Sequence, residues 1–115
     1  MVALLRRLLP VAVLLLVALL VLWPQPALAA ADGAALFSNH CAGCHVNGGN
    51  IIRRGKTLRL AALERQGLAS PEAIAQVAAA GLGQMGGYGA VLGEGGPEAV
   101  AAYVWDQAQA GWPRA

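Results

Sequence analysis

Charge and aromatic rings are scarce in this chain: of 115 residues, only 12% are charged and 5% aromatic. The formal charge of +2 leaves no basic footprint for nucleic acid. Cysteine is scarce too, and two residues cannot build a multi-bridge scaffold or a four-cysteine zinc site. Runs of alternating β-branched residues are missing, which argues against strands, and there is no internal repeat. The length allows one small domain and excludes two. What the chain has in quantity is apolar residues. At 57% they exclude disorder and exceed what an ordinary soluble domain carries.

The excess lies at the N-terminus. Arg6 and Arg7 precede an apolar run from Leu8 to Trp23, followed by Pro24-Gln25-Pro26 and Ala27-Leu28-Ala29. Charged region, apolar region and small-x-small site come in the order of a secretory signal peptide, with cleavage expected after Ala29 or Ala30. The competing reading is an uncleaved anchor, against which the run is short of the ~20 residues that usually span a bilayer. Either reading carries the remainder across a membrane, into a space where free thiols do not usually last. The expected domains are therefore a signal peptide over 1–29 and a single domain over 30–115. Of the first 29 residues 23 are apolar, against 43 of the remaining 86, and the mature part carries six basic and six acidic residues. It is neutral, and small enough to gain from a cofactor in its core.

The mature part reads as helices separated by glycine. Asp32 is a good N-cap for a first helix running into Cys41–Cys44, with Gly33, Leu36 and Phe37 on its apolar side. The segment 46–56, with Asn47-Gly48-Gly49-Asn50, is loop-like. Thr57 suits the N-cap of a second helix that ends at Gly67. Ser70, Pro71 and Glu72 are strong signals for a third, with Ile74, Val77 and Ala78 as its apolar stripe and Gly81 at its end. A glycine-rich loop from Gly81 to Gly96 holds Met85 and Tyr88. Its length inside a small domain points to function. Pro97 and Glu98 open a last helix, on which Val100, Tyr103, Val104 and Gln107 share a face, and Gly111 closes it.

The chemical signature is Cys41-Ala42-Gly43-Cys44-His45. C-x-x-C-H is the attachment pattern of a c-type haem. Two thiols three residues apart reach the two vinyl groups of one porphyrin, and the next residue offers an imidazole to the iron. A structural zinc site needs four ligands, commonly as separated pairs. A thioredoxin-like pair wants a βαβ setting, and a plain disulfide explains neither the histidine nor the helix. Methionine and histidine are the common second axial ligands. Met1 leaves with the signal, and His40 is expected to be held away from the far face by the attached turn. Met85 is then the candidate, with His45 as the first ligand.

These residues resemble the class I c-type cytochromes, and within them the cytochrome c6 group of photosynthetic electron carriers. The resemblance covers residues 32 to 112. It runs through Leu36-Phe37, the Cys41–His45 box, Gly48-Gly49-Asn50, Lys56-Thr57-Leu58, Glu72-Ala73-Ile74, Gln76-Val77, Met85, Val100–Val104, Asp106-Gln107-Ala108 and Gly111-Trp112. It implies an all-α fold, the small class I cytochrome c fold, with four or five helices around one covalently attached haem c. It implies Cys41 and Cys44 as attachment points and His45 and Met85 as axial ligands. Gln76 matches a glutamine that in the family lies near the haem and helps keep its potential high. The Gly33/Phe37 and Val100/Tyr103 spacings match the family's contact between first and last helices. Three family features are missing. Gly86 stands where proline usually follows the methionine, Leu82 follows Gly81 where lysine is usual, and no arginine occurs in 89–93.

The function the resemblance implies is a one-electron carrier, not an enzyme, working as a monomer in the thylakoid lumen or periplasm. Cytochrome f of the cytochrome b6f complex would be its donor, and photosystem I or a terminal oxidase its acceptor. Two alternatives stay open. One is a haem enzyme or gas sensor, if Gly86-Gly87 flexibility lets Met85 leave the iron. The other is a membrane-tethered respiratory carrier. Basic residues Arg53, Arg54, Lys56, Arg59 and Arg65 precede a mainly acidic remainder. Such charges are ordinarily solvated surface, and they also suit a docking dipole.

Overall fold

The structure is a computed structural model that describes residues 1–23 and 32–114. The expected cleavage sites after Ala29 and Ala30 lie outside the described residues. Helix α1 spans Val2–Leu22. It is longer than the apolar run, because the helix continues through Arg6, Arg7 and Pro10. At 1.5 Å per residue its 21 residues reach about 31 Å, and none of them is buried. It is long and apolar enough to cross a membrane, a test that a signal sequence also passes.

Among the described residues five α-helices follow, α2 Gly33–His40, α3 Leu60–Arg65, α4 Pro71–Ala80, α5 Gly89–Leu92 and α6 Gly96–Ala110, with a 3-10 turn at Val46–Gly48 between α2 and α3. No strand occurs among the described residues, as expected for an all-α chain.

The caps of α2 and α4 act as the sequence indicates. Asp32 Oδ1 accepts from the Ala35 amide at 3.2 Å, and Ser70 Oγ from the Ala73 amide at 3.1 Å. Each satisfies an amide that the first helical turn cannot pair internally. The start of α3 differs from the expectation. Its N-cap is Arg59, with no side-chain bond, instead of Thr57. The reason is that the Leu58 amide is already bonded to the Gly48 carbonyl at 2.8 Å, so the chain at 57–58 is tied to the earlier loop. The first helix also stops sooner, at His40. Residues 41–45 continue as hydrogen-bonded turns, with the Cys44 and His45 amides both donating to the Cys41 carbonyl.

Helix α6 organises the core. Val100, Ala101, Val104 and Ala108 are its buried residues toward the other helices, and Phe37, Leu63, Ile74, Ala78, Leu92 and Trp112 join them. Tyr103 and Gln107, expected on that face, are only half-buried. Helix α2 crosses α6 so closely that a Cβ on Gly33 would overlap the Ala99 carbonyl oxygen. This close approach stacks Phe37 against Tyr103 with ring centroids 5.2 Å apart, and against Trp112 at 5.4 Å. Aromatic pairs at such distances contribute about 0.5–1.5 kcal/mol beyond their buried area. The first-to-last helix contact expected of Gly33, Phe37, Val100 and Tyr103 is therefore present. Beside this contact, α4, α6 and the 41–58 segment border an open space.

Candidate cofactor site

That space is a cavity of about 530 Å³. Its size is in the range of about 300–1,000 Å³ that suits a small-molecule or cofactor ligand. Four of the five residues singled out in the sequence line it: Cys41, Cys44, His45 and Met85. They arrive from two places, since Cys41, Cys44 and His45 follow α2 directly while Met85 comes from the loop after α4. Phe37, Leu58, Leu63, Leu68, Ile74, Val77, Val100 and Val104 supply an apolar wall.

The fifth residue does not join them. Gln76 is exposed on α4 and is not part of the wall, whereas its neighbour Val77 is. One residue turns a helix by about 100°. With Ile74 and Ala78 facing inward, Val77 shares their side and Gln76 points away. At this point of α4 the cavity wall is thus formed by Val77, and Gln76, expected as a cofactor neighbour, lies on the exposed side. The helix pattern already carried the signal, because Ile74, Val77 and Ala78 were its apolar stripe. A glutamine does reach the cavity, but it is Gln66 at the end of α3, whose Nε2 donates to the Ala62 carbonyl at 3.0 Å. Nothing in the sequence pattern distinguished it. His40 also lines the cavity, at its Cys41 end.

The imidazole of His45 is held in one orientation. Its Nδ1 lies 2.8 Å from the Gly49 carbonyl oxygen. A carbonyl can only accept, so Nδ1 carries the proton and Nε2 is left with a free lone pair for a metal. The loop that presents Gly49 is itself pinned. Trp112 lies so close over Gly48 that a Cβ there would overlap the indole. The indole Nε1 donates to the Leu58 carbonyl at 3.0 Å, and the Leu58 amide returns to Gly48. Gly48 has φ +77°, which glycine adopts without strain.

The methionine side is built differently. Gly81 ends α4 with φ +82°. The chain then turns through Gly83 and Gln84, so that the Leu82 amide meets the Met85 carbonyl at 3.0 Å and the Met85 amide meets the Leu82 carbonyl at 3.1 Å. Beyond Met85, a Cβ on Gly87 would come within 2.5 Å of the Ala79 carbonyl oxygen, and the Tyr88 amide donates to the Ala78 carbonyl at 2.8 Å. The loop at Gly86-Gly87 is thus fastened to α4 just beyond the methionine.

These groups suit a covalently held haem. Cys41 is half-buried and Cys44 is exposed. Burial pushes the Cys41 thiol up from its ordinary pKa. No set of three or more His, Cys, Asp or Glu side chains gathers as a metal site among the described residues. A thioether asks for no thiolate, and an apolar cavity with an oriented imidazole and one methionine sulfur supplies the rest.

Known proteins agree with this chemistry. Residues 28–104 match the family model described as cytochrome c oxidase, cbb3-type, subunit III. A cytochrome c6-like protein from Nostoc sp. is 48% identical over 81 residues, covering 70% of this chain and 73% of that one. A cytochrome c6 from Synechococcus sp. is 43% identical over 109 residues, covering 93% of this chain and 97% of its own. The crystal structure of cytochrome c6B from Synechococcus sp. WH8102 superposes with a TM-score of 0.71 at 63% identity, covering 73% of this chain and 96% of that chain.

Proposed function

The chain belongs to the cytochrome c6 family of c-type cytochromes, haem electron carriers with covalently bound haem c, and we propose that it holds one haem through Cys41 and Cys44 with His45 and Met85 as axial ligands. The observation that carries this reading is the convergence of these four side chains on one apolar cavity, with the His45 ring fixed by the Gly49 carbonyl.

The haem, when bound, supplies a one-electron couple at iron; everything else is done by the chain. Cys41 and Cys44 anchor the ring. The Gly49 carbonyl holds the Nδ1 proton and aims Nε2. The paired backbone of Leu82 and Met85 keeps the sulfur in place, so little has to reorganise when the charge changes. The apolar wall excludes water and disfavours additional charge, and a methionine sulfur favours the reduced state; both raise the potential.

In this reading, residues 1–29 direct export and are removed after Ala29 or Ala30, and the domain works in the thylakoid lumen or periplasm. Cytochrome f of the cytochrome b6f complex is its donor, with photosystem I or a terminal oxidase as acceptor. The support is the family and the apolar N-terminal helix. The direct test is reconstitution of purified ferrous protein with photosystem I and, separately, with a terminal oxidase. Rapid oxidation by either assigns the acceptor, and slow oxidation by both overturns the proposal.

A further inference from the structure

The end of α3 is closed by backbone alone. The Gln66 amide donates to the Ala62 carbonyl at 3.1 Å, the Gly67 amide to Glu64 at 3.1 Å and the Leu68 amide to Leu63 at 2.8 Å. Gly67, with φ +70°, makes the left-handed turn that this closure uses. The last carbonyls of the helix therefore have donors without help from any side chain.

The Gln66 side chain nevertheless joins them. Its Nε2 donates to the Ala62 carbonyl at 3.0 Å, a second donor to an oxygen already bonded. The helix end does not need this bond, and fixing a glutamine rotamer costs entropy. What the bond adds is an orientation: Nε2 is committed to the helix, and Oε1 is the free end of the amide. Gln66 is half-buried and lies between Leu63 and Leu68 in the chain, and all three line the cavity. Among the described residues it is the one polar wall residue that α3, α4, α6 and the turn after α3 contribute. In such surroundings an amide dipole acts on a charge more strongly than it does in water.

Resting on the haem reading above, we propose that Gln66 sets the reduction potential from below: its Oε1 faces the cofactor and favours the ferric state. The ferric state carries one more positive charge than the ferrous, and the amide oxygen is the negative end of the dipole. Hydrogen bonding and burial are levers by which a protein tunes a haem. Here the dipole works against the methionine sulfur and the apolar wall, both of which raise the potential. Gln66 differs in place and in sense from the glutamine expected on α4. It comes from the end of α3, and its donor end is turned away to Ala62.

The test is an equilibrium redox titration of the exported holoprotein, wild type beside Gln66→Leu. Removing the amide is expected to raise the ferrous-to-ferric ratio at a fixed ambient potential about fivefold, the scale of one net hydrogen bond. Gln66→Met keeps the length of the side chain, shifts the ratio the same way, and serves if Gln66→Leu does not fold. Gln76→Leu, the same change on the exposed side of α4, leaves the ratio unchanged. The iron–sulfur charge-transfer band of the ferric protein stays in every variant, so the shift is not that of a lost methionine ligand. A side chain that only fills space behaves in the opposite way. Its removal loosens the wall and admits water, which favours the ferric state and lowers the ratio. An unchanged or lowered ratio in either folded Gln66 variant overturns the proposal. A wild-type protein without a covalent haem spectrum overturns the haem reading instead.

Discussion

Leu82 and Met85 exchange both of their backbone hydrogen bonds, at 3.0 and 3.1 Å, closing a two-residue turn that presents the methionine to the cavity. The pairing supplies the stiffness that Gly86 cannot. It is seated on α4, where Gly87 passes the Ala79 carbonyl too closely for any side chain.

This arrangement separates the two glycines after the methionine. Nothing lies within 4 Å of a Cβ added at Gly86, whereas one at Gly87 meets the Ala79 carbonyl. Gly86→Ala is expected to stay within about 0.5 kcal/mol of wild type. Gly87→Ala is expected to cost about 1–3 kcal/mol and to lift the methionine loop. Thermal melts give the first quantity, and carbon monoxide binding to the ferrous protein gives the second. Fast carbon monoxide binding by wild type itself would favour an open sixth position over a closed carrier.

The α4 register predicts which residue tunes the potential. Gln76→Ala should leave it unchanged, because Gln76 faces solvent. Val77→Gln puts an amide into the apolar wall and should raise it, in the direction the family's cofactor-facing glutamine implies. One net hydrogen bond of about 1 kcal/mol corresponds to ~40 mV for one electron. Equilibrium redox titration of both variants distinguishes the two positions.

Trp112 fastens the histidine loop from the far end of the chain. Trp112→Phe keeps the ring stack with Phe37 but loses the bond to the Leu58 carbonyl, which should cost about 1–3 kcal/mol, since that acceptor is left unpaired. Trp112→Ala should cost about 3–5 kcal/mol. Gly48→Ala should be comparably severe, given the overlap with the indole and φ +77°, while Gly43→Ala meets nothing. Urea unfolding of the holoproteins ranks all four.

If residues 1–29 are a signal, intact mass and N-terminal sequencing of the exported protein should show a chain beginning at Ala30 or Ala31, recovered in the soluble fraction. A chain that retains α1 and sediments with membranes would support the tethered carrier.

The local features were the legible ones. The cysteine pair and its histidine announce themselves by spacing, and Asp32 and Ser70 mark helix starts because capping acts within three residues. Met85 stood out as the sole methionine after the signal, and the cavity does include it. Long-range ties were not legible. Thr57 looks like a cap until Leu58 is seen bonded to Gly48, and no local pattern places Trp112 over a loop 64 positions earlier. Helix α5 hid in a glycine-rich stretch because it is held by neighbours and has weak propensity of its own. A match of residue type points to Gln76, whereas a turn of about 100° per residue puts Val77 in the wall and Gln76 toward water.

In the proposed function a haem is bound through Cys41 and Cys44 and ligated by His45 and Met85. The most direct test is the visible spectrum of the purified ferric and ferrous protein, wild type beside Met85→Ala. Covalent c-type haem bands are expected in both, with an iron–sulfur charge-transfer band in ferric wild type that Met85→Ala lacks. A band that survives Met85→Ala unchanged, or haem that is extracted from wild type by acid and organic solvent, would contradict it.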